Sequence, residues 1–189
     1  MSIPKTAQEL WALSADALLD VLEAGHPIDR SAIEDRTFRG VSLGLPGAIE
    51  KITWKTFQKV FVNDTDGLRG WNVRLEQDGV DAPSRPKTRN GEPRTFGHFQ
   101  VRATTQDDRT RYRGRSIFLP RALMLDYGLG GNGLDPISML RDPIVAVDED
   151  NPGLLLGWSF LQLGPAKVPT PSFFTLEDEG PRTHFVPRP

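Results

Sequence analysis

Three stretches of this 189-residue chain hold residue types that could do chemistry. Gly40-Val-Ser-Leu-Gly44 matches G-x-S-x-G, the turn that presents a nucleophilic serine after the central strand of an α/β sheet. Several strands must precede such a turn. Only 39 residues precede Gly40, and they read as helical. Asp126 and His184 would complete a Ser…Asp…His order, yet His184 stands in a proline-rich tail. The stretch therefore reads as a strand whose glycines allow close backbone approach. Gly128-Leu-Gly-Gly-Asn-Gly133 lacks the Lys-Ser/Thr of a phosphate-binding loop and opens no visible helix. It reads as a flexible loop at the mouth of the fold.

The third stretch is basic. Residues 85–121 hold ten Lys/Arg against Glu92, Asp107 and Asp108, in a chain of net charge −2. The alternation Arg109, Arg111, Arg113, Arg115 predicts four guanidinium groups on one strand face. Arginine suits capture of carboxylate or phosphate, but a solvated face paired with acids elsewhere accounts for the same pattern. Stacking aromatics are sparse there, so nucleic acid is not the expected partner.

Scattered polar and aromatic residues on predicted strands complete the inventory. Trp71, His98, Phe99, Asp126, Tyr127, Trp158 and Phe160 are the candidate ligand-binding residues, because a ligand cavity combines an apolar lining with a few polar groups. A neutral His98 beside Asp126 would serve as a general base. No catalytic residue is assigned and no metal site is expected: with three His and no Cys, the usual soft ligands are scarce. No cofactor is expected.

The elements that must position these groups are mostly strands. Thr6 to Glu9 is a capping box opening a helix that runs to Ala24, which Ser14 and Asp16 could split. Ser31 to Glu34 predicts a second helix, of two turns. Thr37 to Leu45 reads as a short strand. The spacing of Ile49, Ile52, Phe57, Val60 and Phe61 predicts an amphipathic helix over 48–62. Strands follow at 68–75, 96–104, 109–119, 122–127 and 172–177, with a proline-rich extended loop at 76–95. Asp142 to Leu163 reads as a β-hairpin around DEDNPG. Its second arm is apolar on both faces, as in a strand covered on both sides. The face Leu154, Leu156, Trp158, Phe160 is expected to line an interior, and Leu155, Leu161, Leu163 to lie under the N-terminal helix.

About eight antiparallel strands favour closure into a barrel, which removes sheet edges and leaves room for one small ligand. An open curved sheet is the alternative. The expected layout is a single domain over 1–189: a helical segment 1–36, a barrel 37–178 and an irregular tail 179–189. The absence of cysteine fits a reducing compartment, MSIPKTAQEL has no apolar leader core, and no apolar run suits a membrane span. A cytoplasmic protein without membrane partners is expected; a homo-oligomer is left open.

Several short motifs together carry a resemblance: a helix over Thr6 to Ala24, the glycine-framed strand Phe38-Arg-Gly-Val-Ser-Leu-Gly44, and the ending Lys59-Val-Phe61. Further along stand Tyr112-Arg-Gly114, Met124-Leu-Asp-Tyr127, Asp142-Pro-Ile144, Leu155-Leu-Gly157 and Phe173-Phe-Thr-Leu176. This pattern resembles small bacterial proteins of the GXWXG type with their lipocalin-like companion region. Ser42 replaces the family tryptophan, and LGGNGLDP is inserted before the hairpin. The resemblance implies a calycin-like, lipocalin-like barrel and no particular chemistry.

The expected function is binding of a small, partly apolar ligand in the barrel, with an anionic group met by arginine. The alternatives are a cofactor-free isomerase, cyclase or hydrolase using the same cavity, and an interaction protein using the basic face. On the first reading, Trp158→Ala abolishes ligand uptake in a protein that stays folded; mere unfolding would make Trp158 core instead.

Overall fold

The computed structural model describes residues 4–44 and 55–189. Three helices come first: α1 (Ala7–Trp11), α2 (Ala15–Ala24) and α3 (Arg30–Ile33). The Thr6 hydroxyl accepts from the Glu9 amide to start α1, and the Ser14 hydroxyl accepts from the Ala17 amide to start α2. Two N-caps so close together split the N-terminal helix at Ser14. The third helix is one turn rather than two, because Asp29, not Ser31, caps it.

Twelve strands follow among the described residues: β1 (Arg36–Leu43), β2 (Thr56–Asp64), β3 (Gly67–Arg74), β4 (Thr88–Arg89), β5 (Glu92–Pro93), β6 (Thr95–Ala103), β7 (Thr110–Tyr112), β8 (Arg115–Ile117), β9 (Leu123–Asp126), β10 (Leu140–Asp148), β11 (Asn151–Leu163) and β12 (Ala166–Pro181). Eight of them close into an antiparallel barrel in the order β1-β12-β11-β10-β9-β6-β3-β2. Strands consecutive along the barrel are neighbours around it, so the connectivity is up-and-down. Closure comes from β1 pairing with β12, for example Gly40 opposite Leu176. The pairs β4–β5 and β7–β8 are small hairpins outside the barrel.

One predicted helix is a strand. Residues 48–54 lie outside the described residues, but Thr56–Asp64 forms β2. Its inward positions are Phe57, Lys59 and Phe61, and its outward positions include Val60 and Val62. Both faces are buried, so the period-2 signal disappears, and the lysine at an inward position imitates the polar side of a helix.

The faces of β11 are also the reverse of the expectation. Leu154, Leu156, Trp158 and Phe160 point outward and pack with Leu10, Leu18, Leu19 and Leu22 of α1 and α2. Trp158 stacks on Phe173 and lies against Tyr112 of β7. Leu155 points inward, and Leu163 is exposed rather than covered. The reason is width. An eight-stranded barrel has a narrow interior, and the small Gly157 and Ser159 are what the inside can hold. A Cβ on Gly157 would fall 2.2 Å from the Phe174 ring. The bulky face goes outside, where helices cover it.

The inner core at the closed end is apolar. Ile28 and Ile33 plug it, over Phe38, Phe61, Val101 and Leu176. The irregular tail crosses the outer wall of β2 and β3, where Val186 packs on Val60 and Trp71, and Arg188 pairs with Asp64 at 2.8 Å. The 76–95 stretch is held by Arg39, which donates to the carbonyls of Gly79 and Val80, by Gln77 bonding the Thr56 backbone, and by backbone bonds from Arg74 to Lys87 and Arg94.

The arginine alternation does not form one strand face. The chain turns at Arg113 and Gly114, which have positive φ. Arg113 then meets Asp16, and Arg115 meets Asp20 and Glu23, on the acidic side of α2. These exposed pairs contribute little stability; they give two of the ten basic residues of the stretch acidic partners on α2.

Trp158→Ala should cost about 3–5 kcal/mol, as for a large aromatic removed from a packed core. Urea unfolding measures it. A loss near zero would contradict the packing of β11 against the helices.

Candidate functional site

The other half of the barrel is not filled. A cavity of about 200 Å³ lies there. Its walls are Phe57 of β2, Phe96 of β6, Leu140 of β10, Phe174 of β12 and Ile137, which sits in a 3₁₀ turn before β10. Its polar groups are Lys59 of β2, Asn72 of β3, Tyr127 just after β9, Asp142 of β10 and Ser159 of β11, with Ser42 and Ser172 at its edge. Five strands or strand ends thus each supply one polar group to the same point.

Lys59 is the centre of this arrangement. Its side chain is 3% exposed, and that of Asp142 is 4%. An ammonium carries three protons, and three acceptors surround it: Asn72 Oδ1 at 3.0 Å, Asp142 Oδ2 at 3.3 Å and the Tyr127 hydroxyl at hydrogen-bond distance. Tyr127 donates onward to Asp142 Oδ2 at 3.2 Å, and Ser159 donates to Asp142 Oδ1 at 2.7 Å. The Asn72 amide donates to Gly97 O at 3.0 Å, which fixes its orientation. The faces of Phe57, Phe99, Tyr127 and Phe174 stand 5.0–5.4 Å from Nζ. Aromatic faces at that range attract a cation.

Burial pushes the Lys59 ammonium below its ordinary pKa, and Asp142 only partly opposes this. Burial, then Asp142, pushes the Tyr127 phenol well above its ordinary value. The site therefore holds an amine that loses its proton more readily than a surface lysine, next to a phenol that keeps its own. In chemical terms it offers a nucleophile or base, a proton donor and a carboxylate, all in a largely apolar cup.

Of the residues singled out from the sequence, Tyr127 lines the cavity and Phe99 supports it from below, its ring 5.4 Å from that of Tyr127. The others lie outside the barrel. Trp71 is under the tail, beside His184 and Phe185. His98 packs 6.2 Å from Trp71, and burial with nearby Arg69 lowers its pKa. Asp126 is not beside His98. It pairs with Arg102 at 2.9 Å and Arg141 at 3.1 Å, and accepts from the Gly128 amide. Asp126 thus caps the turn that carries Tyr127, while Asn132 holds the Tyr127 carbonyl at 2.7 Å. Trp158 and Phe160 belong to the helix-covered face. None of the arginines lines the cavity among the described residues.

Gly40-Val-Ser-Leu-Gly44 does not present Ser42 on a strand-to-helix elbow: residues through Leu43 belong to β1, and Ser42 lies within that strand. A Cβ at Gly40 would collide with the Phe57 ring, so this glycine makes room for the cavity wall.

The sequence reading missed Lys59, Asp142 and Ser159. Two of them carried a signal, since Lys59 and Asp142 are charges set within apolar strands and both stand in the quoted motifs Lys59-Val-Phe61 and Asp142-Pro-Ile144. Among the described residues no group of three or more His, Cys, Asp or Glu could hold a metal ion, and no helix is long and apolar enough to cross a membrane. No protein-family model matches the chain, and no curated protein matches it.

Lys59→Met alone should lower stability by about 3–5 kcal/mol, since it leaves Asp142 buried without its cation. The double variant Lys59→Met/Asp142→Leu should recover most of that loss. Urea unfolding of the single and double variants tests this, and simply additive losses would contradict a coupled buried pair.

Proposed function

We propose that the barrel binds a small, neutral, largely apolar molecule whose single oxygen-bearing head group meets Lys59, Tyr127 and Asn72. The observation that carries this reading is the cavity itself: an apolar cup with one polar cluster at its base. Its volume falls below the ~300–1,000 Å³ of typical drug-sized pockets, which points to a guest of modest size. Charge argues for neutrality. Lys59 is already matched by Asp142, so a buried carboxylate would enter without a counter-ion. No arginine lines the cavity among the described residues, and Arg102 is paired with Asp108 and Asp126. The calycin-like resemblance and a cytoplasmic location are compatible with this reading.

A cofactor-free enzyme in the same cavity is the second reading. The Tyr127–Asp142 contact favours it, because a donor and an acceptor line the same cavity.

Calorimetric titration with cyclohexanone, cyclohexanol and cyclohexanecarboxylate tests the first reading. The two neutral compounds should bind and the carboxylate should bind at least ~tenfold more weakly, a difference of about 1.4 kcal/mol. Ser172→Trp, which places a bulky ring at the cavity edge, should abolish binding while the unfolding midpoint stays near that of the parent. Preference for the carboxylate, or binding unaffected by Ser172→Trp, would sink the proposal.

A further inference from the structure

We propose that Lys59 is a nucleophile that captures a small apolar aldehyde as a reversible imine. This rests on the reading of the cavity as a site for a neutral guest, and it names the carbonyl class that the site is built to hold. Four features of the geometry carry it. Lys59 is the only lysine lining the cavity among the described residues, and its Nζ sits where the walls meet the polar cluster. The Tyr127 hydroxyl touches Nζ and also Asp142, so a proton donor lies beside any carbonyl carbon that reaches the amine. Asp142, held by Ser159, lies 3.3 Å from Nζ, ready to accept the ammonium proton. Phe57 and Phe174 flank the nitrogen and present apolar surface to the rest of the aldehyde.

The balance of the step is simple. Asp142 takes one proton from the ammonium and leaves a free lone pair on Nζ. That pair adds to the carbonyl carbon, and the C=O π pair moves to oxygen. The oxygen gains a proton through Tyr127, which is resupplied from the newly bonded nitrogen. A second proton, returned from Asp142, lets the hydroxyl depart as water while the nitrogen pair forms C=N. Ammonium and aldehyde become iminium and water, with Asp142 and Tyr127 restored to their starting states; nothing is oxidised or reduced. The lowered Lys59 pKa helps, because each unit of decrease raises the amine fraction at neutral pH about tenfold. Burial has the same effect in other lysines that form Schiff bases.

The test treats the full chain at neutral pH with benzaldehyde, reduces any imine with cyanoborohydride, and maps the product by peptide mass spectrometry. A single benzyl group on Lys59 is expected, with labelling of Lys5, Lys51, Lys55, Lys87 and Lys167 at least ~tenfold slower. Labelling of Lys59 should respond to pH through a midpoint below that of the other lysines. Lys59→Arg should remove the label. Tyr127→Phe, which keeps the amine, should slow labelling while urea unfolding shows an intact fold. If benzaldehyde binds reversibly, is displaced by cyclohexanol and yet leaves Lys59 unlabelled, the imine is overturned and the cavity reading stands. If neither compound binds and Lys59 stays unlabelled, both fail. Label spread evenly over the surface lysines also overturns the proposal.

Discussion

Burying an ammonium costs several kcal/mol unless both its protons and its charge are met, and the open half of this barrel is arranged around meeting them for Lys59. Each acceptor arrives on a different strand: Asn72 on β3, Tyr127 at the end of β9, Asp142 on β10. Only a closed sheet puts β2 opposite β10, four places away in the barrel order, so that Lys59 and Asp142 meet across the interior at 3.3 Å. The pair is therefore bound up with closure. Were the barrel open, Lys59 and Asp142 would face water rather than each other.

The same closure sets the division of side chains. Inside a narrow eight-stranded barrel, space is the scarce quantity. Gly40 and Gly157 give theirs to the rings of Phe57 and Phe174, and Ser159 is small enough to hold Asp142 without filling the cavity. The largest apolar surface, centred on Trp158 and Phe173, is excluded from the interior and needs a separate cover. The N-terminal helices supply it. Their outer acidic side then pairs with Arg113 and Arg115 of the basic stretch.

Much of the architecture was legible. Alternation at 68–75 and 96–104, the DEDNPG turn and the strand count pointed to an antiparallel barrel with helices near the N-terminus. The site was legible only in part. Tyr127 and Phe99 were singled out as aromatic residues on predicted strands, and the first lines the cavity while the second packs against it. Lys59 was hidden because its strand is apolar on both faces, and a charged residue among apolar ones reads as the solvent side of a helix. Trp158 misled for the opposite reason: a large aromatic on a doubly apolar strand says that both faces are covered, but not which cover is the barrel. Asp126 was conspicuous yet structural, shaping the turn that aims Tyr127.

What the amino-acid order determined alone is the set of local instructions. Caps start the helices at Thr6 and Ser14, glycines and prolines turn the chain, and period-2 runs make strands. These depend on neighbours within a few residues. What the tertiary structure decided is which face of each strand looks inward. That choice depends on closure, on interior width and on what covers the outside, none of which a single strand encodes. The meeting of Lys59 with Asp142, 83 residues apart in the chain, belongs to this second kind. Each is an ordinary charged residue until a closed barrel excludes water from both and leaves them to satisfy each other.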